Sequence, residues 1–360
     1  MNIKQSLKNI KTISIEHGAG GRKMHRLIRE LFLKYFDNPI LKKFEDSAEI
    51  ILKSCDNKFC YTIDSYVVQP LFFPGGDIGK LAICGTVNDL AVKGARPLYI
   101  ALSFVITEGL SLNSLEKICI SISKITKSLK IFVVTGDTKV IEHRYSKTNW
   151  SLDDNTKEEI IITTCGIGEI LPVFSNPTLS VRNIEIGDQI IINGNIGEHE
   201  AAILLARKDY HFKGKVKSDC AAIYPLIETL ARNQCKIKMM RDPTRGGIAT
   251  TLNEIADDAN ISIIIDENKL PISDAVRGLA ELLGIDPLYM ANEGKVIIIA
   301  DKKETPKIVK LMKNHPQGKN TRVIGEVTER YHGLGVWLKT QIGGLRPVLQ
   351  LEGSQLPRIC

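Results

Sequence analysis

No run of about 18 apolar residues occurs anywhere in the 360-residue chain, so no membrane-spanning helix is expected. The opening stretch, MNIKQSLKNIKTISIEHGAGG, holds neither a long apolar core nor a small-residue cleavage site, and no secretory leader is expected. Clustered basic residues are also missing. The 48 Lys+Arg outnumber the 41 Asp+Glu for a net charge of +7, yet they are scattered and nowhere interleaved with aromatics. That distribution argues against a dedicated nucleic-acid surface, although the surplus could help to hold anions or acidic partners. Metal-type cysteine spacing is absent too. Of the eight cysteines only Cys55 and Cys60 lie close together, and no second pair or nearby His completes a four-ligand set. They are read as flanking a hairpin turn. Cys84, Cys119 and Cys220 fall in helical apolar patterns and Cys165 in a strand-like run, as small core residues of a reducing compartment, the cytoplasm. Two phosphate motifs are lacking as well: no G-x-x-x-x-G-K-[ST], and no G-x-G-x-x-G after a strand.

What is present is a globular composition, 43% hydrophobic and 25% charged, in a chain long enough for about two domains. Residues 22–36 carry apolar side chains on one helical face. Strand-like and helical segments then alternate: 61–68 strand, 75–95 helix, 97–106 strand, 111–129 helix, 131–140 a short buried strand, 158–170 strand. The polar stretch HRYSKTNWSLDDNTK reads as a surface loop. After a soft boundary at 170–187 the pattern restarts with a strand at 188–194, a helix at 219–233, strand–turn–helix over 236–259 and further strands. We expect a glycine-rich arm and helix at 1–45, a domain at 46–170, a second at 171–345, and a tail at 346–360.

Acids recur at similar places. Asp64 lies within a strand, Asp89 follows Asn88 in a helix, and Asp137 and Asp242 follow the strands IFVVTG and KIKMMR. Acids at strand ends face the ligand cleft in layered α/β folds. Converging carboxylates repel unless a cation pairs them, and Mg²⁺ prefers such oxygen ligands together with phosphates. HGAGGR, FFPGGDIGK and DPTRGG each place glycines just before a helical pattern, where backbone N–H groups can approach an anion. Acids and glycines together point to a phosphate–Mg²⁺ site. Lys139 could contact a phosphate or be a solvated turn lysine, and Glu293 could be a general base or a turn acid.

In this order HGAGGRKMHRLI, TIDSYVVQPLFFPGGDIGKLAICGTVNDLAVKGARP, VVTGDTKV, RDPTRGGIATTLNEIA, MANEGKV and the terminal PRIC resemble the HypE family of hydrogenase maturation proteins, over nearly the whole chain. That family belongs to the aminoimidazole ribonucleotide synthetase (PurM-like) superfamily. The resemblance implies an α/β half that dimerises through its sheet, an α+β half packed behind it, and ATP in the cleft. It implies that Cys360 receives a carbamoyl group from a HypF-type carbamoyltransferase. ATP then drives dehydration of the S-carboxamide to a thiocyanate, and the cyano group passes to iron on a HypC–HypD complex for the nickel–iron centre. By the same resemblance Asp64, Asp89, Asp137 and Asp242 are candidates for Mg²⁺ and ATP. Gly18, Gly20, Gly21, Lys80, Asn88, Gly136 and Thr138 join them at the nucleotide, and Lys139 and Glu293 match positions that polarise and deprotonate the carboxamide.

The ending LEGSQLPRIC fits that chemistry. Gly353 and Ser354 favour flexibility, and Pro357 discourages helix. From Gly353 onward the tail can span about 25 Å when extended. Competing readings are a small-molecule ligase or kinase on the same fold, indifferent to loss of the tail, and a non-catalytic module using Cys360 as a metal or disulfide donor.

Overall fold

The computed structural model describes residues 22–27, 29, 42, 48–51, 57–142, 159–207 and 215–351. Helix α1 (Arg22–Leu27) comes first; apart from Arg29, the rest of the helix expected to residue 36 lies outside the described residues, as do the 143–158 loop, Gly18, Gly20, Gly21, Cys55 and Cys360. Strands β1 (Ala48–Ile51) and β2 (Lys58–Tyr66) pair antiparallel with Ile51 opposite Lys58, which gives the expected hairpin and buries Cys60. A small ribbon, β3 (Phe72–Phe73) and β4 (Gly76–Asp77), leads into α2 (Ile78–Val92). Then follow β5 (Ala95–Thr107), α3 (Leu112–Leu129), β6 (Phe132–Ile141) and β7 (Ile160–Ile170). The sheet order is β1-β2-β7-β5-β6, with only β5 and β6 parallel.

Side-chain chemistry explains the helices of this half. Ser111 caps α3, its Oγ accepting the Ser114 N–H at 3.1 Å. The buried residues Ser114, Ile118, Ile122 and Thr126 recur every fourth position, so α3 covers its neighbour with one face. By contrast α2 is buried nearly all round, because it lies between the first sheet and the second half of the chain.

The second half comprises β8 (Gln189–Ile192), α4 (Glu198–Ala206), α5 (Tyr224–Arg232), β9 (Met239–Arg241), α6 (Gly247–Ala259), β10 (Ser262–Asp266), α7 (Asp274–Leu283), β11 (Ile297–Ala300), α8 (Thr305–Asn314), β12 (Arg322–Thr328), β13 (Val336–Lys339) and β14 (Leu345–Val348). Its sheet runs β14-β13-β10-β12-β8-β11-β9. The isoleucine runs of β8 and β11 are wholly buried because both faces of this sheet are covered. One apolar cluster includes side chains from both halves, so the two share a core, and a second cluster fills the far side of the second sheet. Among the described residues no helix is long and apolar enough to cross a membrane.

Three expectations change. The segment 131–140 is buried only at Ile131: every residue of β6 is exposed, since among the described residues this strand forms a sheet edge. The helix expected over 219–233 begins only at Tyr224, with Pro225 in its first turn. Upstream the N–H groups of Cys220, Ala221 and Ile223 bond to Ser218 Oγ, Glu293 O and Asn88 Oδ1, so tertiary partners replace helical ones. Cys220 is therefore a buried loop residue, and Cys119, on the outer face of α3, is exposed.

Candidate active site between the two halves

The alternation of β2 sends Thr62, Asp64 and Tyr66 toward α2 and leaves Tyr61, Ile63 and Ser65 on the open face. The α2 helix answers with Asp89, whose Oδ2 accepts the Thr62 hydroxyl at 2.7 Å. From the second half, the turn after β9 brings Asp242 and Arg245, and the segment before β11 brings Glu293. Asp64, Asp89, Asp242 and Glu293 line one cleft together with Tyr66 and Arg245. Gly85 is required here: a Cβ at this position would collide with the Tyr66 hydroxyl.

Electrostatics in the cleft follow from burial. Desolvation raises the Asp64 carboxyl, against the pull of Arg245 and the Tyr66 hydroxyl, which donates to Asp64 Oδ2 at 3.2 Å. Glu293 is pushed well above the usual carboxylate range, by burial first and then by Asp219, Asp242 and Asp64, with Arg245 opposing. Tyr66 is raised as well, by burial and by the nearby Asp64 and Asp89 carboxylates. The cleft therefore concentrates negative charge that a cation would relieve. Among the described residues no three His, Cys, Asp or Glu side chains form a ready-made metal cage. These hard oxygen donors suit a cation that draws further ligands from phosphates and water.

Other expected positions stand apart. Gly136 on β6 pairs with Leu102, Leu102 with Thr164, and Thr164 with Asp64. Three strand spacings thus separate β6 from β2, about 14 Å. Asp137, Thr138 and Lys139 ride on this exposed edge, with Lys139 Nζ 3.6 Å from Asp137. Lys80 Nζ donates to Gly75 O at 2.8 Å. The glycine pair of FFPGGDIGK does not form an anion cradle, because Asp77 Oδ1 takes the N–H groups of Gly79 and Lys80 at 2.8 and 3.0 Å. Gly75, at φ +100°, instead lets its turn touch the Ser218 backbone. The amide of Asn88 is engaged by protein backbone, at Ala221 O and Ile223 N.

Sequence reasoning missed Tyr66, Arg245, Asp219 and Lys295. Arg245 stood inside RDPTRGG, and a charged residue beside two glycines was an available signal. Asp219 and Lys295 gave none, because 76 residues separate partners that meet at 2.9 Å.

The fold and this cleft define a two-domain protein of the AIR synthase-related class. The N-terminal domain model of that family matches residues 45–170 and the C-terminal model residues 185–337. Carbamoyl dehydratase HypE of Cupriavidus necator is 40% identical over 354 residues, covering 98% of this chain and 96% of its own. A crystal structure of a HypE–HypF complex superposes with a TM-score of 0.80 at 39% identity, covering 90% of this chain and 99% of that one. A HypE structure in complex with ATP gives a TM-score of 0.75 at 40% identity, covering 97% and 100%. The chain belongs to the HypE family of carbamoyl dehydratases.

Proposed function

We propose that this protein uses ATP to dehydrate an S-carboxamide carried on its own Cys360 to a thiocyanate. The observation that carries the reading is a buried carboxyl, Glu293, held among Asp64, Asp89 and Asp242 in the cleft between the two halves. An amide oxygen is a poor leaving group. Transfer of the ATP γ-phosphoryl to it makes it leave as phosphate, while the two nitrogen protons depart and the C–N bond becomes a nitrile; ADP and phosphate are the other products. Glu293, which lines the same cleft, accepts a proton from that nitrogen. Arg245 offsets charge that develops on the transferred group, and Lys139 would do so from a second copy of the chain. Asp64, Asp89 and Asp242 would hold Mg²⁺, which when bound neutralises phosphate charge.

The same reading takes in a second copy of the chain. The first sheet leaves Tyr61, Ile63, Tyr99 and Ile161 exposed on its open face, and Phe132, Val134 and Val140 on β6. An apolar face of this kind favours a partner. A homodimer through it would cover these side chains, and β6 of the second copy would be the source of Gly136, Asp137, Thr138 and Lys139 at the nucleotide. We further assign a HypF-type carbamoyltransferase as donor and a HypC–HypD complex as acceptor, in the cytoplasm.

Intact-mass measurement tests the reading. The purified chain is incubated with the carbamoyltransferase, carbamoyl phosphate and only as much ATP as the transfer consumes, then freed of nucleotide and given ATP or none. One carbamoyl group gained at Cys360, followed by loss of one water only with ATP, is the expected result. ATP bound without modification of Cys360 would overturn it in favour of a small-molecule enzyme on the same fold.

A further inference from the structure

Glu293 has an unusual setting. Its N–H donates to Asp219 Oδ1 at 3.2 Å, and the next N–H, of Gly294, donates to Asp219 Oδ2 at 3.1 Å. Its carbonyl accepts from Ala221 N at 3.1 Å and from Asn88 Nδ2 at 3.4 Å. Both ends of this short segment are therefore held by named side chains. Asn88 belongs to α2 in the first half of the chain, one residue before Asp89. Asp219 belongs to the loop before α5 in the second half.

The two holding groups are themselves fixed. Asn88 is 1% exposed; its amide nitrogen also donates to Ala221 O at 3.1 Å, and its Oδ1 accepts Ile223 N at 2.8 Å. Asp219 is held by Lys295 Nζ at 2.9 Å. Burial works against its ionisation, but Lys295 and His199 outweigh it and the carboxyl falls below its ordinary range. Gly294 leaves no room for a side chain, since a Cβ there would strike the Asp219 carbonyl.

We propose that Asn88 and Asp219 are positioning residues that clamp the Glu293 peptide from the two halves of the chain. The proposal rests on Glu293 as the base and deepens that reading. It takes Asn88 out of the nucleotide site: its donor and acceptor atoms act on backbone, so its contribution passes through Glu293. The clamp also gives adjacency in sequence a purpose. Asp89 faces the cation and Asn88 faces the base, so one turn of α2 sets the distance between the phosphoryl-binding carboxylates and the proton acceptor. Catalytic groups need placement to within about 0.5 Å, and a misplacement of about 1 Å can cost about 100-fold in rate.

The test uses full-length protein carbamoylated on Cys360. Single-turnover thiocyanate formation is measured at saturating ATP, with affinity for a non-hydrolysable ATP analogue and its thermal stabilisation measured separately. Asn88→Ser and Asp219→Asn are expected to slow dehydration about 10- to 100-fold while analogue affinity stays within about twofold. A merely structural role would not split rate from affinity in this way. Glu293→Gln is the control. Should it dehydrate at the wild-type rate, the base assignment itself fails. If it is inactive while both clamp variants run at the wild-type rate, the clamp alone is wrong. Loss of analogue binding in both clamp variants would also overturn the proposal, because the two residues would then build the cleft rather than place the base.

Discussion

Ile63→Asp on the open sheet face puts the proposed dimer to a quantitative test. Ile63 is 62% exposed in the single chain, although its neighbours on the same face are apolar. Full burial of an isoleucine side chain is worth about 1.5–3 kcal/mol, so covering the remaining exposed part gains about 1–2 kcal/mol per copy. A symmetric dimer counts that twice, about 2–4 kcal/mol, and a buried unpaired carboxylate adds a further penalty of at least a few kcal/mol. The dimer Kd should rise by at least about 100-fold. Chain folding should be unchanged, because the substituted side chain leaves no cavity behind it. Sedimentation velocity across a concentration series reads the Kd, and circular dichroism confirms the fold. If β6 of a second copy supplies Lys139, ATP-dependent dehydration falls as the dimer dissociates and recovers at high protein concentration. A variant that sediments like the wild type at every concentration would refute docking through this face.

Gly75→Ala should destabilise the protein by about 3 kcal/mol, because a left-handed φ is costly for a side chain. The added Cβ would also lie 2.6 Å from Ser218 O and 2.8 Å from Ser218 N; an unchanged urea midpoint would contradict this. Lys238→Met removes the partner 2.7 Å from Asp188, whose side chain is 2% exposed, and should cost about 3–5 kcal/mol by chemical denaturation. His25 sits 2.7 Å from Glu254, and that hydrogen bond raises its pKa above 6.5. The contribution of this pair to the attachment of α1 to α6 is therefore fully present below pH about 6.5 and is lost as pH rises through the raised value. Amide exchange at residues 22–27 should speed up over that window in the wild type, and should show no such step in His25→Gln.

Much of the site could be read along the chain because its chemistry is local in sequence. Asp64 in a strand, Asp89 in an apolar helix and Asp242 after a strand were candidates from their places in the pattern, and all three line one cleft with Glu293, whereas Asp137, read the same way, does not. The FFPGGDIGK glycines misled for an equally local reason: two glycines before a helix look the same whether they receive an anion or another stretch of backbone. Only the contact with Ser218, and the capping of α2 by Asp77, separates the two. The segment 131–140 misled in a different way. Its apolar residues call for burial, and among the described residues those of β6 stay exposed.

By itself, the sequence determined the periodicities that make the helices and strands, the acids available for a cation, and a cysteine at position 360. It could do so because side-chain alternation, capping and residue chemistry act over a few positions. Tertiary structure alone decided that Asn88 and Asp219 grip the Glu293 peptide, that Lys295 balances Asp219, and that Asp137 and Lys139 lie on a sheet edge away from Asp64. The first two depend on segments between 74 and 205 residues apart meeting at hydrogen-bond distance. Such meetings are set by packing α2 between the two sheets, which no short window of sequence records.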